Sequence, residues 1–87
     1  MDGGDHADAS QVLSWLEAHP NFRRIERAHL ATGDIVTFRL ATVAHHVGLV
    51  LEPPAFIHSI RGYGVIESRL DDLTYAKRLE RVYRPIQ

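Results

Sequence analysis

The chain has 87 residues, of which 45% are hydrophobic and 24% charged, and its formal net charge is -1. This composition is typical of a single small folded domain over residues 1–87 and excludes a disordered chain. The balanced charge gives no basis for binding nucleic acid. The chain contains no cysteine, which excludes disulfides, zinc sites with thiolate ligands and thiol nucleophiles within it.

The first part of the sequence predicts one helix. Residues 1–7 are small and acidic, and we expect them to be flexible. Asp8 or Ser10 can cap a helix that runs to about Ala18. An apolar stripe at helical spacing would pack on a core, and it contains Val12, Trp15, Leu16 and His19. After the helix, residues 22–25 fit either a short strand or an extended connection.

The N-terminus has no basic stretch followed by an apolar one, which is the pattern of a secretory signal. The longest apolar run, residues 47–51, is too short to span a bilayer. We therefore expect a protein that is made in the cytoplasm without a signal peptide and is not inserted into a membrane.

Short alternating apolar runs and tight turns fill the rest of the sequence. Strands are predicted at residues 35–40, 46–51, 56–59, 65–68 and 81–84. Asp71 or Asp72 can cap a short helix through Leu73, Ala76 and Leu79. Consecutive strands joined by tight turns favour an antiparallel meander over βαβ units. The predicted fold class is α+β: an N-terminal helix packed on a meander of roughly four or five strands, with a short late helix.

Two histidines stand at corresponding places in neighbouring predicted strands. His46 opens one strand, and His58 lies in the next. Because side chains alternate between the faces of a strand, pairing of these strands would place both imidazoles on one face. His45 would point to the opposite face, and we assign it no catalytic role.

Four segments carry a family resemblance: T-G-D-I-V-T-F from Thr32, H-V-G-L-V from His46, F-I-H-S from Phe56 and G-V-I-E-S-R-L from Gly64. In this order they resemble the NlpC/P60 cell-wall peptidases, particularly the branch found in phage tails. The resemblance implies a reduced papain-like core with a cysteine nucleophile at a helix N-terminus. It also implies that His46 is the base and that His58 orients it. Gly48 would keep the floor of the site open.

The N-terminal half departs from this pattern at the nucleophile. The family has a D-C-S-G segment at the start of the first helix, where this chain has Asp8-Ala9-Ser10-Gln11. Ala9 thus stands at the expected nucleophile position, and its interval to His46 is shorter than in the family. Ser10 or Ser14 could replace the thiol only with an aligned base and an oxyanion hole, and the sequence shows neither.

A metal site is another interpretation of a sequence with six histidines. His46 and His58 could be two ligands, with Asp34 or Glu67 as the third. The spacing matches no zinc signature, so we expect hydrogen-bonded histidines and neither a metal nor another cofactor.

The missing nucleophile leaves three functions to consider. The first, which we predict, is a catalytically degenerate domain that serves as a structural or assembly component of a phage or phage-like tail tip. Its partners would be other tail-tip or hub proteins, and it would be incorporated into a virion or phage-like particle. The second is a hydrolase of peptidoglycan peptides whose nucleophile is not cysteine, comes from another chain, or was replaced at Ala9. The third is a module that binds peptidoglycan peptides without cutting them.

Overall fold

The computed structural model defines residues 9–39 and 46–86, and within the first helix it defines side chains from Ser14 onward. The elements in chain order are α1 (Ala9–Ala18), β1 (Phe22–Ile25), a 3₁₀ turn (Arg27–His29), β2 (Ile35–Phe38), β3 (His46–Val50), β4 (Ala55–Ile60), β5 (Gly64–Arg69), α2 (Leu73–Ala76) and β6 (Leu79–Pro85). Neither of the helices in these ranges has the length and apolar character needed to cross a membrane.

The strands form one six-stranded antiparallel sheet in the order β1-β6-β2-β3-β4-β5. β2 to β5 follow one another as the predicted meander, whereas β6 inserts between β1 and β2. The predicted number of strands is therefore too low. The extended segment at residues 22–25 becomes a strand because β6 lies beside it and satisfies its backbone hydrogen bonds. The fold is mainly β with small helices.

Some strands and helices begin or end at other residues than predicted, because a turn or a helix cap sets the boundary. β3 ends at Val50 because the Leu51 N–H donates to the Ala55 carbonyl and closes a turn. α2 is a single turn, begun by Asp72, whose carboxylate accepts from the Thr74 N–H at 2.9 Å. Leu79, predicted in this helix, instead begins β6. Leu40, His45 and residues 1–8 lie outside the residues that the structure describes.

The main core lies on one face of the sheet. Its buried side chains are Val36, Phe38, Val50, Phe56, Leu70 and Val82. Four partly buried side chains close over them: Ile25, Leu30, Tyr75 and Leu79. His46 pairs with Phe38, and His58 pairs with Gly48, which itself pairs with Val36. Directly opposed residues share a face, so both imidazoles lie on the core face, at the β3–β4 end of the core.

The described part of α1 contacts the other face of the sheet. Leu16 is buried with Tyr83 and packs against Phe22 and Ile35. Ile35 and Tyr83 are cross-strand partners, and each precedes or follows a core residue by one position, so both lie on the face opposite the main core. Trp15, predicted in the buried stripe, is 51% exposed instead. Its ring packs against the imidazole of His19, just after α1, with centroids 4.2 Å apart, and does not enter the core.

An ion pair with a buried carboxylate joins the turn before β2 to β6. Asp34 is 1% exposed and accepts two hydrogen bonds from Arg84, at 2.8 and 2.9 Å. The Ala31 N–H donates to the same carboxylate at 2.8 Å. Burial by itself would raise the pKa of Asp34, but the hydrogen bonds from Arg84 and Ala31 and the charge of Arg84 outweigh it, so the pKa is lowered. This carboxylate is ionised and paired at neutral pH.

Candidate active site

The structure brings the two predicted histidines together. His46 Nε2 lies 2.7 Å from His58 Nδ1, within hydrogen-bond distance. The ring planes are nearly perpendicular, at 82°, and their centroids are 4.9 Å apart. His46 is half-buried, whereas His58 is only 4% exposed. One proton must lie between the two nitrogens, because a hydrogen bond needs one donor and one acceptor.

The β3–β4 hairpin produces this contact through its register. His58 stands opposite Gly48, two residues along β3 from His46. Residues at such diagonal positions on one face are within reach of long or aromatic side chains. The turn at residues 51–55 fixes this register, since the Leu51 N–H donates a 2.9 Å hydrogen bond to the Ala55 carbonyl. The pairing of the imidazoles is therefore set by backbone geometry.

Gly48 has a different role from the one predicted. A Cβ atom at this position would lie 2.8 Å from Cδ2 of Phe56 and 3.2 Å from the Ile57 carbonyl oxygen. The space above Gly48 is therefore filled by the Phe56 ring and is not an open floor. That ring in turn packs against His58, with centroids 4.7 Å apart. Gly48 thus allows a close-packed support beneath the second histidine.

Ser68 on β5 extends the pair into a three-residue arrangement that we call the His46–His58–Ser68 network. His58 Nε2 lies 2.8 Å from Ser68 Oγ, so both ring nitrogens of His58 have partners. Ser68 was not among the candidate site residues predicted from the sequence. The usable signal was the glycine turn between β4 and β5, which sets the register that pairs Phe56 with Ser68 and so places Ser68 on the core face.

Aromatic rings surround the imidazoles. Tyr75, carried by α2, meets His58 edge-on with centroids 5.2 Å apart. Phe38 lies 6.1 Å from His46 between ring centroids. Burial in this setting lowers the pKa of His46. Burial also lowers the pKa of His58, and the charge that His46 would carry lowers it further. Both imidazoles are therefore neutral at physiological pH and available to accept a proton.

The second ring nitrogen of His46 is the open position of the site. His46 Nδ1 has no hydrogen-bond partner among the residues with described side chains, 14–39 and 46–86. A neutral imidazole held through Nε2 and open at Nδ1 has the geometry of a general base. The arrangement can take a proton from a group that approaches Nδ1.

The other candidate residues are placed elsewhere. Asp34 is bound by Arg84. Glu67 is exposed and is the cross-strand partner of Ile57, so it lies on the opposite face of the sheet from His58. The described ranges contain no group of three potential metal ligands. Ser14 is exposed on α1. The side chains of Ala9 and Ser10 lie outside the described residues, so the assignment of Ala9 to the nucleophile position stays a prediction.

Comparison of the sequence with models of known families identifies the class of protein to which this fold and histidine pair belong. The NlpC/P60 family model matches residues 6–84, and the chain belongs to the NlpC/P60 family. The match includes α1 and is not limited to the C-terminal half, where the sequence segments resembled the family most clearly.

The curated relatives are murein peptidases. Over 62 residues the chain is 32% identical to the murein DD-endopeptidase MepS/murein LD-carboxypeptidase of Escherichia coli K12. Proteins of the same name from Escherichia coli strains O6:H1 and O157:H7 match equally. Each match covers 71% of this chain but 33% of the relative, so the matched region is about a third of the relative's length.

Proposed function

We propose that this chain provides the general-base half of a site that hydrolyses murein peptides, and that the nucleophile comes from outside these 87 residues. The observation that carries the proposal is the His46–His58–Ser68 network, which leaves His46 Nδ1 open on a neutral ring. Membership of the NlpC/P60 family and the likeness to a murein peptidase support the substrate class.

In this proposal, His46 removes the proton of an attacking thiol or hydroxyl at Nδ1. His58 holds the ring through His46 Nε2, so that the same nitrogen always faces the nucleophile. The lowered pKa keeps His46 unprotonated near neutral pH, which is the state that a general base requires. Returning this proton to the leaving amine restores the neutral ring and leaves the acyl group bonded to the nucleophile. His46 then takes a proton from water, which attacks the acyl group, and returns that proton to the nucleophile as the acid is released.

Among the described side chains, 14–39 and 46–86, no cysteine or serine hydroxyl stands where His46 Nδ1 could activate it. The chain contains no cysteine. Of the serine hydroxyls that the structure describes, that of Ser68 contacts His58. Ser14 is exposed on α1, and Ser59 is exposed on the face of β4 opposite to His58. We therefore expect the 87-residue protein to recognise murein peptides without cleaving them.

Recognition is tested by adding a soluble murein tetrapeptide to the protein and following the imidazole resonances of His46 and His58 by NMR. We expect both to shift and saturate, because the scissile peptide bond must lie beside His46, whose Nδ1 returns the proton to the leaving amine. A tetrapeptide of ordinary L-amino acids is the matched control and should give smaller shifts. Resonances that stay unchanged at millimolar murein peptide would exclude the proposed site.

The origin of the nucleophile is tested with Ala9→Cys. If the nucleophile belongs outside these 87 residues, the added thiol should leave the protein inactive on murein. Hydrolysis by Ala9→Cys that disappears in the double variant with His46→Ala would place the nucleophile position within the chain. That result would keep His46 as the base but overturn the external nucleophile.

We propose as a second candidate the assembly role in a phage-like tail tip, in which an exposed apolar groove would contact the partner. Beside α1, an open groove of about 340 Å³ is lined mainly by apolar side chains: Ile35, Val47, Leu49, Ile57 and Val65. Ile35 also packs against Leu16 of α1, so the groove continues the surface that α1 already covers. The occupant in this candidate is an apolar helix of a neighbouring tail protein, laid beside α1.

The assembly role makes a separable prediction. Leu49 is 41% exposed in the groove, so Leu49→Glu should remove the chain from purified tail particles with little effect on its fold. His46→Ala, on the opposite face, should leave incorporation unchanged. Incorporation that tolerates Leu49→Glu would exclude this groove as the assembly surface.

A further inference from the structure

The hydroxyl of Ser68 is the last group in a chain of hydrogen bonds that runs from His46 through His58. His58 is buried, and its two nitrogens are committed, Nδ1 to His46 and Nε2 to Ser68. The ring is also packed between Phe56 and Tyr75, with centroids at 4.7 and 5.2 Å. It therefore cannot turn to find other partners, and the proton on His58 must lie on one of two fixed nitrogens.

Only two neutral proton arrangements satisfy both hydrogen bonds. In the first, His46 Nε2–H donates to His58 Nδ1, and His58 Nε2–H donates to Ser68 Oγ. In the second, every bond is reversed: Ser68 donates to His58 Nε2, His58 Nδ1–H donates to His46 Nε2, and the proton of His46 sits on Nδ1. The two arrangements differ in whether the open nitrogen of His46 can accept a proton.

The first arrangement alone allows His46 to act as a base. Its Nδ1 carries a lone pair, and proton uptake there leaves both existing hydrogen bonds in place. In the second arrangement Nδ1 already bears a proton, and the N–H has no acceptor among the described side chains. Because the proposed base needs a lone pair at Nδ1, the site requires the first arrangement.

We infer that Ser68 is a positioning residue that accepts the hydrogen bond from His58 Nε2–H and thereby fixes the tautomer in which His46 Nδ1 is unprotonated. This deepens the proposed function and rests on it. Ser68 does not touch the reacting atoms. It acts two hydrogen bonds away, through His58, and it reaches the site because β5 pairs with β4.

Nitrogen-15 NMR of the imidazoles tests this inference, because a ring nitrogen with a proton and one without have well-separated shifts. At pH 7.5 and without any murein peptide, the unmodified protein should carry protons on Nε2 of both His46 and His58. Ser68→Ala removes the acceptor, so a measurable fraction of His58 should move its proton to Nδ1 and His46 should gain a proton on Nδ1. Ser68→Thr keeps the hydroxyl and should restore the original pattern.

Three outcomes would overturn the inference. One is a proton on His58 Nδ1 in the unmodified protein, which decides the matter even if Ser68→Ala does not fold. Another is a Ser68→Ala spectrum identical to that of the unmodified protein. The third is an equal tautomer change in Ser59→Ala, since Ser59 is exposed and lies on the opposite face of β4 from His58. Because no murein is present, failure of the tautomer test and failure of the murein titration are distinguishable.

Discussion

The Phe56 ring occupies the space that a side chain at Gly48 would need, with only 2.8 Å between the position of a Cβ and Phe56 Cδ2. The two residues lie on the paired strands β3 and β4, directly beneath the imidazole of His58. Packing on this face is therefore coupled to the position of a candidate catalytic side chain.

Gly48→Ala should destabilise the protein by about 1–3 kcal/mol, because an added methyl in a close-packed core forces neighbouring side chains to move. Phe56 must shift, and the resonances of His58 should shift with it. Urea unfolding measures the stability change. Ser59→Ala on β4 is the control and should change stability by less than about 0.5 kcal/mol. Gly48→Ala with unchanged stability would contradict the packing described for this site.

Asp34→Ala should cost about 2–3 kcal/mol at pH 7, because it removes charge-assisted hydrogen bonds to Arg84 and leaves the Ala31 N–H without its acceptor. The matched control is Asp71→Ala, which removes an exposed pair with Arg69 and should have a much smaller effect. Equal effects of the two substitutions would show that burial of the Asp34 pair contributes nothing.

The Asp34 effect should also depend on pH. Since the folded-state pKa of Asp34 is lowered, its stabilising contribution is complete above the unfolded-state pKa of about 3.9 and is lost as pH falls through the folded value. The difference in unfolding free energy between the unmodified protein and Asp34→Ala should therefore shrink in acid. A difference that grows below pH 4 would contradict this sign.

The histidine pair predicts a second, separate pH dependence. Folding lowers the pKa of both His46 and His58, so the unfolded chain binds more protons than the folded one below about pH 6.5. The contribution of the pair to stability should be constant above this pH and fall on acidification, by at most about 1.4 kcal/mol per pH unit for each imidazole. His46→Gln should have a shallower slope between pH 5 and 6.5. An unchanged slope would show that His46 does not titrate as described.

The local part of the fold could be predicted from the sequence, because alternation and turn residues act over a few positions. The strands β2 to β5 and the shared face of His46 and His58 follow from such patterns. The pairing of β1 with β6 could not, since it joins residues from opposite ends of the chain. An extended segment such as residues 22–25 reads the same whether or not a strand lies beside it.

The parts of the site that escaped sequence analysis also depend on distant pairing. Ser68 reaches His58 only through the register of β4 and β5, and a shift of one residue would turn it to the other face. The Asp34–Arg84 pair spans 50 positions. Gly48 was a candidate in the sequence, but the need for glycine there comes from the Phe56 ring, and this contact is known only once β3 and β4 are paired.

We propose that the chain holds a working base without a nucleophile, and digestion of purified murein by the isolated 87-residue protein tests this most directly. The released muropeptides are separated and quantified at pH 7.5, with His46→Ala as the reference. The account predicts no release above the His46→Ala background. Murein cleavage by the unmodified protein that is lost in His46→Ala would show that the chain contains its own nucleophile and would contradict the account.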